Sequence, residues 1–98
     1  MTMIRHIVLL AFDGADDEVL DTVERELRRL PDLIPEIVDY TIGRDLGLRG
    51  GPPTIVVLGG FGSVEAYEAY ATHPEHVRVL DDHIRPHVTT IGRAQIEA

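Results

Sequence analysis

The residues best equipped for chemistry crowd into one stretch. Four of the five histidines (His73, His76, His83 and His87) lie between residues 73 and 87, with Tyr67 and Tyr70 just before them. An imidazole that titrates near neutrality suits removal of a proton next to a carbonyl. A phenol can donate a hydrogen bond to the oxyanion that then forms. His76 as base and Tyr70 as donor are the candidate pair for such proton-transfer chemistry. The chain has no lysine for Schiff-base chemistry and no cysteine for a thiolate nucleophile, a disulfide or a thiolate metal site. His73-x-x-His76 and His83-x-x-x-His87 have the look of paired ligand spacings. Seven residues of helix between His76 and His83 is about 10.5 Å of rise, too far for one ion to take both, so no metal is expected. Gly59-Gly60-Phe61-Gly62 has neither the Lys of a phosphate loop nor the last glycine of G-x-G-x-x-G spacing, where Glu65 stands.

The elements that must position these groups follow from hydrophobic period and turn signals. Met3 to Phe12 is nearly continuous in apolar and β-branched residues and reads as a strand. Asp16, Asp17 and Glu18 open a helix whose Leu20, Val23, Leu27 and Leu30 form one stripe. Asp21–Arg25 and Glu24–Arg28 have i, i+4 spacing, Arg25, Arg28 and Arg29 form a solvated face, and Pro31 is expected to stop the helix. Residues 37–43 and 54–61 read as strands, separated by a Gly- and Pro-rich loop over 46–53. Gly59 and Gly60 predict a bulge or a close approach. Ser63 caps a short helix to about Ala71; Thr72 and Glu75 have capping-box spacing for a second helix running to about Arg85, with Pro74 in its first turn. Residues 87–96 form a weaker last strand. On a regular wheel of about 100° per residue, Val77, Leu80 and Ile84 make the buried stripe of that second helix, with His76 and His83 together at its edge. His6 reaches the same gap if its strand face is the covered one. Asp39 or Asp82 is a candidate to orient His76. Each of these residues also has a structural reading: His73 as a cap, Tyr67 and Tyr70 as core, His83 and His87 as surface histidines.

The order β-α-β-β-α-(α)-β is that of a ferredoxin-like α+β protomer, a four-stranded antiparallel sheet with helices on one face. At 98 residues, 44% apolar and 27% charged, the chain reads as one globular domain over 1–98. Its net charge of −8 argues against a nucleic acid partner. No apolar run reaches the roughly 18 residues of a membrane span. No small-residue cleavage site follows the first apolar run, and a reducing cytoplasm fits the absence of cysteine. Helices cover only one face of such a sheet, yet the first and third strands are apolar on both. A bare patch of several hundred Å2 exceeds what monomers usually show. A homodimer through the sheet face, with two-fold symmetry, is the expected answer.

Several segments carry a resemblance: MIRHIVLLAF at the start, Tyr40 to Gly43 in the middle, and FGSVEAYEAYATHPEHV with Y-x-x-H-P-x-H read as Tyr70, His73, Pro74 and His76. Together they resemble the stress-responsive dimeric A/B barrel (Dabb) family, over essentially the whole chain. The resemblance implies a ferredoxin-like protomer whose two sheets close into a dimeric α/β barrel. Members of the olivetolic acid cyclase type close a linear polyketide thioester without a metal or organic cofactor. By that likeness Tyr70 and His76 match the catalytic pair and His6 a pocket histidine. The family's usual Lys after the first strand is replaced by Ala11-Phe12-Asp13, and Gly92-Arg93 stands where Asp-Tyr is often found.

The resulting expectation is a cofactor-free polyketide cyclase or related lyase acting on a small-molecule ligand. His76 and Tyr70 are its candidate catalytic residues, and His6, His73, Val8 and Tyr40 its candidate substrate-binding ones. The alternatives are a non-catalytic stress or ligand-binding protein, and a small-barrel monooxygenase acting on an aromatic substrate. Five Phe and Tyr with no Trp supply an aromatic-stacking pocket poorly, which favours the first reading over the last.

Overall fold

The computed structural model describes residues 2–98. Strand β1 (Ile4–Ala11) is followed by helix α1 (Asp17–Arg28), a one-turn helix α2 (Leu30–Leu33), β2 (Ile37–Arg44), β3 (Thr54–Phe61), α3 (Val64–Ala71), α4 (Pro74–Val79) and β4 (Thr90–Glu97). The strands form one antiparallel sheet in the order β2-β3-β1-β4, and the helices cover one of its faces. The fold is ferredoxin-like α+β. In β1 the alternating period sends His6, Val8 and Leu10 under the helices and Arg5, Ile7 and Leu9 to the open side.

Helix α1 is secured at its start by Asp16, whose carboxylate accepts from the Val19 N–H at 3.0 Å. Leu20, Val23 and Leu27 bury its apolar stripe, as their spacing predicts. Asp21 does not pair with Arg25. It turns to Arg44 of β2, which also bonds Glu24 at 2.8 Å and so ties helix to sheet. Pro31 does not end the helical path either. It lies in the first turn of α2, where a missing N–H costs little, and the chain leaves the helix after Leu33.

The end of the helical layer departs most from expectation. The cap of α4 is His73, whose Nδ1 accepts from the Glu75 N–H at 3.1 Å. Thr72 instead turns its hydroxyl back to the Glu68 carbonyl at 3.0 Å and closes α3. After Val79 the backbone widens into a π turn over Leu80–Ile84, sealed by Arg85 N–H to Leu80 O at 2.8 Å. Val79 and Ile84 are buried, while Val77 stays 38% exposed. The Val77-centred stripe is therefore out of phase, and His83 does not sit beside His76. It faces α1, with Nε2 3.5 Å from Glu26.

The two adjacent glycines of β3 both permit close approaches, on opposite faces of the sheet. A Cβ on Gly59 would meet Phe61 and Tyr40 at 3.2 and 3.3 Å on the covered side. One on Gly60 would meet Asp39 and Arg5 at 2.6 and 2.8 Å on the open side. The bulge lies in the neighbouring strand, between Ile37 and Asp39.

Candidate active site

Register brings the polar groups of the covered face together. His6 of β1 lies opposite Gln95 of β4 and Gly59 of β3, and Gly59 in turn lies opposite Tyr40 of β2. Gln95 donates its amide to His6 Nδ1 at 3.0 Å, so the ring carries its hydrogen on Nε2. The helical layer supplies the rest. Helix α3, capped by Ser63 through the Ala66 N–H at 3.0 Å, places Tyr67 and Tyr70 one turn apart. Tyr70 is 2% exposed, and its hydroxyl is 2.8 Å from that of Tyr40. Tyr70 is thus the more deeply buried of the two tyrosines on α3; Tyr67 lies over His6, with ring centroids 5.0 Å apart.

The last carbonyls of a helix lack an intrahelical partner. At the end of α3 the Ala71 carbonyl is 3.0 Å from His76 Nδ1. A carbonyl only accepts, so Nδ1 carries the hydrogen and Nε2 keeps its lone pair. The His76 ring packs on Tyr70 at a centroid distance of 4.3 Å. The group orienting His76 is therefore this backbone carbonyl and neither Asp39 nor Asp82. Asp39 is on the other face of the sheet, 2.9 Å from Arg5.

Burial sets the electrostatics. It lowers the pKa of His6 to about 4, helped by the neighbouring His76 and Arg93. It lowers that of His76 too, against the opposing pull of the Ala71 carbonyl and with help from Arg85 and Arg93. Both rings are thus neutral at pH 7. Burial raises Tyr70 well above its ordinary value, with the nearby Tyr40 hydroxyl adding to the effect. Tyr40 is pushed up to about 12, again by burial, partly offset by its bond to Tyr70. The phenols stay protonated and serve as donors: when Tyr40 donates to Tyr70, the Tyr70 O–H remains available to a ligand.

These side chains enclose a cavity of about 240 Å3 between sheet and helices. His6, Val8, Tyr40, Tyr70 and His76 all line it; His73, committed to its cap, does not. His83 and His87 lie on a separate recess of about 180 Å3 against Asp16 and Glu18 of the α1 start. The composition argument against an aromatic pocket is overturned by placement. All three tyrosines and Phe61 gather with His6 and His76 in one cluster, with Phe61–Tyr70 centroids at 4.9 Å. Sequence reading missed Arg93 and Gln95 as site residues. The signal available was their alternation on the last strand, which lands on the covered face once β4 is registered against β1. Arg85 and the Ala71 carbonyl had no local signal at all.

The family model described as Stress responsive A/B Barrel Domain matches residues 4–96. The chain belongs to this family. Solved structures agree on the shape of this A/B barrel domain. A dimeric ferredoxin-like protein of unknown function from Thermobifida fusca is 31% identical, with a TM-score of 0.88 over 99% of this chain and 92% of that one. A dimeric ferredoxin-like protein from Bacteroides fragilis is 25% identical, with a TM-score of 0.86 over 98% and 96% of the two chains. The hydroxynitrile lyase of Passiflora edulis shares the fold at 20% identity, with a TM-score of 0.85 over 98% and 93%. No curated protein matches the sequence. No helix of the A/B barrel domain is long and apolar enough to cross a membrane, among the described residues.

Proposed function

We propose that this A/B barrel domain works as a homodimer through its open sheet face and performs general acid–base chemistry in the cavity behind each sheet. The reaction we assign is aldol-type closure of a linear, polyketide-like carbonyl chain. The observation that carries it is the state of His76. Its Nδ1 is occupied by the Ala71 carbonyl, its Nε2 has no partner within the described residues, and its ring packs at a tilt against Tyr70 at the cavity wall. Depressed basicity keeps the ring neutral, hence able to accept a proton, at pH 7.

In this reading His76 Nε2 takes a proton from the carbon between two carbonyls, and Tyr70 donates to the enolate oxygen. The carbanion attacks the distant ketone carbon and forms the new C–C bond. The resulting alkoxide recovers the proton from His76, and loss of water completes the ring. The step needs no oxidant or reductant. Val8, Tyr40 and His6 would hold the chain, and His73 acts through the start of α4. Ligand pockets for drug-sized molecules run from about 300 Å3 upward. At about 240 Å3 this one suits a chain that closes to a single ring.

Dimerisation follows from the open face, where Leu9 and Leu58 are 49% and 45% exposed beside Ile7 and Val56. The Thermobifida fusca relative, described as dimeric, supports the same assembly.

The test is incubation with a linear poly-β-keto chain, supplied both as the thioester and as the free acid, following ring-closed product by mass spectrometry. His76→Ala and Tyr70→Phe should each lower turnover by about 10^2-fold or more. Their unfolding free energy should stay within about 2 kcal/mol of the parent. Undiminished turnover in both variants overturns the assignment.

A further inference from the structure

The charge around the cavity runs against the charge of the chain. Seventeen carboxylates outnumber nine arginines in the sequence. Yet no Asp or Glu lines this cavity among the described residues, while two arginines, Arg85 and Arg93, do. Arg85 is already answered by Asp81 one turn before it. Arg93 has no ion pair among the described residues; Arg25 and Arg49 share that but do not line the cavity, and the other six arginines are all paired. It sits opposite Val8 in the β1–β4 ladder, next but one to the Gln95 that holds His6, and so on the covered face. Its field reaches both catalytic-side imidazoles, since it contributes to lowering the pKa of His6 and of His76.

An uncompensated guanidinium at the rim of an apolar, carboxylate-free cavity is matched by one kind of group. Its planar fork pairs with a carboxylate through two parallel hydrogen bonds. We infer that this cavity takes its ligand as an anion: a small keto or aromatic carboxylate, with the carboxylate on Arg93 and the apolar body against Val8, Ile91 and Leu80. This rests on reading the cavity as a ligand site and adds the charge and orientation of what it holds. The carboxylate end stays at the rim, and the carbonyl carbon chain reaches inward to His76 and Tyr70. A linear keto acid and the ring-closed aromatic acid share this chemistry.

Paired probes of equal shape separate the two ideas. 4-Acetylbenzoate and its neutral isostere 4-acetylbenzamide would be titrated into the native protein, with binding followed by amide shift changes in 15N-labelled chain. The carboxylate should bind about tenfold more tightly than the amide, as expected for a charged hydrogen bond at a partly exposed site. That preference should shrink as salt is raised. Arg93→Gln should erase it, chiefly by weakening the carboxylate, Arg93→Lys should keep part of it, and Arg85→Gln should cost less because Asp81 already answers that charge. Equal affinity of the native protein for both probes, or a preference that survives Arg93→Gln, overturns the anion inference while leaving the cavity as a ligand site. Failure of both probes to shift any cavity residue overturns the inference and the ligand-site reading with it.

Discussion

The two faces of the sheet are built from the same kinds of residue and put them to opposite uses. On the covered face apolar side chains alternate with His6, Tyr40, Arg93 and Gln95; the first three line a cavity and Gln95 holds His6. The open face carries Ile7, Leu9, Val56 and Leu58 in the middle of the sheet and an Arg5–Asp39 ion pair toward one end, at 2.9 Å. The lesson is that apolarity alone does not say which face holds chemistry. What distinguishes them is where polar groups sit relative to a layer that shuts out water. Burial favours the neutral form of His6 and His76 and the protonated form of Tyr40 and Tyr70, whereas the open face presents mainly apolar area.

The sharpest way to break this contrast is to charge the open face. Leu9→Glu combined with Leu58→Glu puts two carboxylates into the middle of the apolar patch. Light scattering should show the dimer give way to a species near the single-chain mass of 10.9 kDa, with the circular dichroism of the fold kept. A native protein that is already monomeric at micromolar concentration would remove the role given to this face.

Acid should act on the other face. An unfolded chain binds a proton at His6 near pH 6.5, but the folded chain only near pH 4. Between those values the unfolded state holds more protons, so stability is complete above pH 6.5 and declines as pH falls toward 4. The loss should reach about 2–3 kcal/mol. The lowered pKa of His76 works in the same direction. Urea unfolding at pH 7 and pH 5 checks this, and His6→Asn should flatten the dependence. A stability that rises on acidification contradicts the buried, neutral state assigned to His6.

The neighbouring glycines give the smallest and most discriminating effects. Gly59→Ala presses on Tyr40 and Phe61 and should cost about 1 kcal/mol while weakening ligand binding in the cavity. Gly60→Ala pushes apart the flexible ends of Arg5 and Asp39. It should cost less than about 1 kcal/mol, since an exposed ion pair is worth little. It should alter the dimer's dissociation midpoint and leave ligand affinity alone. A reversed pattern would show that the faces are not independent.

The strands and the first helix were legible because their signals are local. β3 matches its expected bounds, Asp16 caps as its type predicts, and His6, Val8, Tyr40, Tyr70 and His76 meet around one cavity. What was not legible has a common cause. A wheel drawn at the regular α-helical angle cannot foresee the π turn at Leu80–Ile84; it predicts His83 beside His76, whereas His83 faces Glu26. Side-chain spacing cannot foresee a backbone acceptor; it offers Asp39 or Asp82 for His76 where the Ala71 carbonyl serves. Residue totals cannot foresee clustering, so five aromatic residues looked too few, though four of them gather at the site.

The sequence by itself determined the element order, the doubly apolar strands and the histidine- and tyrosine-bearing helical segment, since hydrophobic period, caps and turn residues act over a few neighbours. The tertiary structure alone decided which ring nitrogen of His76 is free, that His73 serves as a cap, that Arg93 lines the cavity and that Gln95 holds His6. Those outcomes depend on strand register and on which groups are sealed from water, and both are settled only when segments distant in the chain are packed against each other.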